Sequence, residues 1–147
     1  MKKGDYIIYK LISKKGEEVV LFFLPEKNTD EVLRRKTYRI LTLQSYKTQG
    51  YSVFAVAYVD KETYLNAKLD ERVKDYCYAD KLQQEFRERR HEVSPDVYFD
   101  TIQCCEDNKW TALKQISMII RRLIREDLDV YNEIGIQLYD QYMKAMA

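Results

Sequence analysis

The chain has 147 residues, 46% of them hydrophobic, with 25 basic residues against 24 acidic ones. That length suits one domain with a single core, and the near-zero balance leaves no whole-molecule field toward nucleic acid or an anionic membrane. No run nears the roughly 20 apolar residues of a membrane span, Lys10 interrupts what would be a signal peptide's apolar core, and three cysteines, two of them adjacent, make no disulfide framework. A cytoplasmic protein with no membrane partner is expected.

Residues 5 to 13 (DYIIYKLIS) and 17 to 24 (EEVVLFFL) are rich in β-branched and aromatic residues. Lys14-Lys15-Gly16 between them predicts a hairpin closed by glycine in a left-handed conformation. Pro25 ends the second strand. In PEKNTDEVLRRK, Asn28 with Glu31 resembles a capping box, with bases in the last turn, so the pattern predicts a helix of about two turns ending near residue 36. A second strand pair, TYRILTLQS (37 to 45) and YSVFAVAYV (51 to 59), joined through a turn ending at Gly50, completes a four-stranded, mainly antiparallel sheet. Both alternating faces of residues 51 to 59 are apolar, which places that strand at the centre, covered on both sides.

From Asp60 the period becomes helical. Leu65, Leu69, Val73 and Tyr76 share one face. Asp80 with Gln83 either opens a new helix or lies inside one that runs unbroken to about residue 91. Ser94-Pro95 stops that helix and starts the next, with Asp96 complementing its macrodipole and Val97, Tyr98, Thr101, Ile102 and Cys105 on one face. Asp107 or Asn108 then caps a helix near 109 to 126, with Leu113, Ile116, Ile120, Leu123 and Ile124 inward. A last helix near 129 to 146 carries Ile134, Leu138, Tyr142 and Met146. The expected architecture is a single α+β domain over 1–147, strand-rich over 1–60 and helical over 61–147, with helices packed against the sheet.

Catalytic chemistry finds little footing. Asp96, Asp107 and Lys109 have the spacing of a metal-dependent nuclease, but Asn108 stands where a buried strand needs an apolar residue, and Lys109 leads into a helical pattern. A nucleophilic thiol needs a base, and His91 is the one histidine; on one straight helix Cys77 would lie roughly 21 Å from it. Glu88 and His91 have the spacing of a carboxylate-bridged metal bundle, which requires a second such motif and a second histidine. The glycines never cluster into a phosphate loop. No catalytic residue, metal or cofactor is assigned.

Binding is left. Basic residues cluster at Arg34, Arg35, Lys36 and Arg39, at Arg87, Arg89 and Arg90, and at Arg121, Arg122 and Arg125, and two such clusters brought together could track a phosphate backbone. Thirteen tyrosines, Tyr51 and Tyr58 among them, supply side chains favoured at interfaces. The expected function is a non-catalytic protein–protein interaction module, homodimeric, because a sheet apolar on both faces needs a crossing helix or a second chain to cover it. Nucleic-acid binding through Arg34, Arg35, Lys36, Arg39, Arg87 and Arg90 is the alternative, and the nuclease is third.

Overall fold

Strand β1 (Tyr6–Ser13) turns back into β2 (Glu18–Phe23) through the glycine expected there: Gly16 has φ +86° and its N–H reaches the Ser13 carbonyl at 3.0 Å. The chain then enters helix α1 (Thr29–Thr48), leaves it at Gly50 (φ +93°), and forms β3 (Tyr51–Val59). The computed structural model describes residues 4–25 and 29–147; the proposed cap Asn28 lies outside them. The sheet has three strands in the order β2-β1-β3, both outer strands antiparallel to β1. α+β is therefore right and four strands are not.

The strand expected over 37 to 45 is the second half of α1. Thr37, Tyr38, Ile40 and Thr42 are β-branched or aromatic and suit a strand, but Arg34, Arg35, Lys36, Leu41, Leu43, Gln44 and Lys47 are unbranched or γ-branched helix formers, and no glycine or proline intervenes between Pro25 and Gly50. The half-buried positions Arg35, Arg39, Thr42, Leu43 and Tyr46 recur at the helical period. Thr42 and Thr48 donate their hydroxyls to carbonyls four residues back, at 2.7 and 3.0 Å. Because α1 is a full 20 residues, it can cross over β1 and link two strands that run in the same direction, a split β-α-β arrangement.

That topology makes β1 central and β3 an edge, reversing the expected place of residues 51 to 59. Each face of the sheet meets a helix. Tyr38 and Tyr46 of α1 set their rings edge-on to Phe23 and Tyr51, 6.1 and 5.5 Å between centroids. On the alternate face Tyr6 and Phe22 pack on Tyr64, in the first turn of α2 (Lys61–Glu88), at 4.7 and 5.6 Å. Asp60 caps that helix by accepting the Thr63 N–H at 2.8 Å.

The chain divides into two compact units, Met1–Tyr64 and Leu65–Ala147. The second contains the body of α2, which is unbroken, a short 3-10 turn at Arg90–Glu92, α3 (Pro95–Arg125) and α4 (Glu133–Met146). Ser94 caps α3 as expected, accepting from the Val97 N–H. The break expected at residues 107 and 108 is absent and α3 runs for 31 residues. Asp107 and Asn108 satisfy themselves along the helix: Gln103 Nε2 donates to Asp107 at 2.9 Å, and Asn108 Nδ2 contacts Cys104 Sγ at 3.9 Å. The helix ends in a Schellman motif, with Leu128 N–H on the Leu123 carbonyl at 2.9 Å, Asp127 N–H on Ile124 at 3.1 Å, and Asp127 itself at φ 56°.

Leu69, Val73, Leu113, Ile116, Ile120 and Leu138 form the core of this unit. Gly135 lets α4 approach α2, since a Cβ there would stand 3.2 Å from Leu69. Val97, Ile124, Ile134 and Met146, expected inside, are exposed instead.

Candidate functional site

Nine residues of β3, YSVFAVAYV, carry no charge. The register against β1 slips between Lys10↔Ala55 and Leu11↔Val53, so Phe54 is the extra residue of a β-bulge. Past the bulge the strand is regular from Ala55 to Val59. Phe54, Val56 and Tyr58 remain 50%, 44% and 52% exposed, and the far edge of β3 pairs with no described strand. α1, which runs over β3, adds exposed Tyr38, Ile40 and Leu41.

The two tyrosines proposed for binding have different surroundings. Tyr58 is exposed near one end of β3. Tyr51, at the other end, is half-buried beside Tyr46, and its hydroxyl donates to Glu17 Oε2 at 3.4 Å. Local desolvation and the Glu17 carboxylate raise its phenol above the ordinary value.

The arginine clusters are divided between the two units. Successive helical residues point about 100° apart, so Arg34 and Lys36 are exposed on different sides of α1 while Arg35 and Arg39 fall on the half-buried stripe. Arg35 donates a guanidinium N–H to the Pro25 carbonyl. These belong to the first unit and Arg87 and Arg90 to the second. Arg87 is exposed in the last turn of α2, and Arg90 lies over the Tyr98 ring at 5.0 Å. Arg89 pairs with Glu92 at 2.7 Å, Arg122 with Glu126 at 3.2 Å, and Arg121 contacts Met143 Sδ at 3.2 Å.

The residues of the nuclease reading separate as well. Asp96 and Asp107 lie on the single helix α3, roughly 16 Å apart along its axis, and Asp107 is engaged by Gln103. Lys109 turns toward α2 instead. Its ammonium donates to Asp80 Oδ1 at 2.9 Å and Gln83 Oε1 at 3.1 Å and stands 5.5 Å from the centre of the Tyr76 ring. Gln83, wholly buried, passes the chain of bonds on to Glu106 Oε2 at 2.7 Å and the Ile102 carbonyl at 3.3 Å. In sequence Asp80 and Gln83 resemble a helix start. Their three-residue spacing, matched by Glu106 and Lys109 on α3, is the available sign of facing helices joined by polar groups.

A shallow cleft of about 280 Å³ beside this network is lined by Tyr78, Ala79, Leu82, Cys105 and Ala112 among others. Burial and the adjacent Cys104 push the Cys105 thiol up, away from the thiolate a nucleophile needs. A cation cluster on α2 and α3 is also half-sunk: burial, then Arg72 and Arg122, lower the Lys68 pKa. Arg72 Nε is 3.2 Å from Asp75 Oδ2 but off the hydrogen-bond direction, an ion pair without a bond.

Among the described residues no three His, Cys, Asp or Glu side chains gather as a metal site requires, and no helix is long and apolar enough to cross a membrane. Comparison with protein-family models, with curated proteins and with solved structures gives no match.

Proposed function

We propose that this chain is a non-catalytic protein–protein interaction module that works as a homodimer. The observation that carries the reading is the open edge of β3, uncharged along its length and flanked by half-exposed Phe54, Val56 and Tyr58. Natural sheets blunt such edges with charges, prolines or a covering element, because unpaired N–H and C=O groups recruit another strand. The case for a second chain thus moves from the face of the sheet to its edge, since α1 and Tyr64 meet the two faces.

Nucleic-acid binding through the arginines ranks second. Arg34, Lys36 and Arg87 are exposed and could meet phosphate, whereas Arg89 and Arg122 face carboxylates and Arg90 stacks on Tyr98. Light scattering on the purified protein at micromolar concentration tests the first reading. A mass near twice 17.7 kDa is expected. A monomer would count against the dimer, and duplex binding that falls steeply with added salt would favour the arginines.

A further inference from the structure

We propose that the second copy pairs β3 with β3, antiparallel, about a two-fold axis through Ala57, joining two three-stranded sheets into one of six strands. This rests on the homodimer reading above and specifies its geometry. A continuous antiparallel sheet made from two copies of one strand places the axis perpendicular to the sheet, where one residue faces itself, since opposed residues must point to the same side. The bulge at Phe54 breaks the alternation, so pairing across all nine residues of β3 would oppose side chains on different faces. The regular stretch Ala55–Val59 has Ala57 at its middle. Centred there, Ala55 faces Val59, Val56 faces Tyr58, and Ala57 faces its own copy.

Each of these pairings is apolar, and none sets like charges against each other. The two half-exposed side chains, Val56 and Tyr58, cover one another as a β-branched–aromatic pair, and symmetry supplies that pair twice. The small side chain of Ala57 lets the strands meet at the axis. A foreign strand would need charge or shape to be selected, and β3 offers no charge to select it. The other edge of the sheet, β2, begins with Glu18, so the uncharged edge is the one suited to its own copy.

The test is a charge exchange read by mass and sedimentation. Val56→Lys with Tyr58→Lys opposes like charges in both symmetry-related pairs and should raise the dimer dissociation constant roughly thirtyfold. Val56→Lys with Tyr58→Glu sets Lys opposite Glu in both pairs in this register and should restore the dimer. A wild-type monomer would overturn both the reading and the pairing. A wild-type dimer that the Lys-Lys variant leaves intact, or that Lys-Glu fails to restore, would overturn the pairing while the dimer reading survives. If the charged variants lose their folded circular dichroism, Ala57→Cys in a Cys77→Ser, Cys104→Ser background decides. An intermolecular disulfide under mild oxidation supports the axis at Ala57, and its absence from a non-covalent dimer overturns it.

Discussion

Leu65–Ala147 turns polar side chains inward and matches them, whereas Met1–Tyr64 presents an uncharged strand whose outer edge no described strand pairs with. In the second unit Asn66 is buried with both ends of its amide engaged: Nδ2 donates to the Asp129 carbonyl and Oδ1 accepts the Tyr131 N–H, each at 2.9 Å. Asn132 caps α4 through Gly135 and reaches back to Asp70, both at 2.8 Å. In the first unit β3 has one bonded edge and one edge that no described strand pairs with. Helices satisfy their own backbones and need neighbours only for side chains, so one short chain can close them. A three-stranded sheet always keeps two edges, and a strand left there without charge is open to association.

The sharpest break in this contrast should come from the core of the second unit. Ile116 is fully buried in the cluster with Leu69, Val73 and Leu138. Ile116→Ala should cost about 3 kcal/mol through lost burial and a cavity, seen in denaturant unfolding monitored by fluorescence of Trp110, the single tryptophan, which lies in that unit. The molecular mass should not change. Charges placed on Val56 and Tyr58 should do the reverse, altering association while the tryptophan transition stays within about 0.5 kcal/mol. A loss of stability from both would mean that the units are not distinct in this way.

Asn66→Ala should cost about 2 kcal/mol, because it empties the place of a buried side chain and removes both of its part-buried hydrogen bonds to the main chain. Amide exchange should localise the loss, with the Tyr131 N–H protected in the wild type and fast in the variant. Asn66→Asp keeps an acceptor for Tyr131 but turns a carboxylate toward the Asp129 carbonyl, so it should rescue little. Full stability in Asn66→Ala would show that this clamp is decoration on the apolar core.

These polar groups mark where reading from sequence stops. The hairpin at Gly16, the strand at 51 to 59, the cap at Ser94 and the inward stripe through Leu113, Ile116, Ile120 and Leu123 are legible, because each arises from local chemistry or periodicity. Residues 37 to 45 mislead because Thr37, Tyr38, Ile40 and Thr42 are β-branched or aromatic and suit a strand, while the helix-forming residues among them set the backbone. The false break at Asp107 has a related cause. Cap-forming residues also bond along a helix, and neither Asp107 nor its neighbours in sequence reveal which role it takes. Edge and centre for β3 cannot be told from its own residues, since an uncharged strand suits both places. Lys109, Gln83 and Asn66 find their partners through tertiary packing, which spacing on one helix only hints at.

Lys109 supplies the smallest and most specific test. Its burial disfavours the ammonium, but the hydrogen bond to Asp80, the facing Tyr76, and the charges of Asp80 and Glu106 outweigh it and hold the pKa above the ordinary 10.5. A pKa raised on folding contributes stability that is fully present below about 10.5 and is lost as pH rises through the higher folded value. The side chain is 16% exposed and Asp80 37%, so the pair is partly screened, and Lys109→Met should cost only about 1 kcal/mol at pH 7. That difference should hold between about pH 7 and 9 and shrink above 10.5 as the wild type loses its ammonium. The Tyr76 ring faces the ammonium, so the comparison is cleanest in a Tyr76→Phe background. A difference unchanged at high pH would assign the role of Lys109 to its aliphatic stem packed between α2 and α3 rather than to its charge.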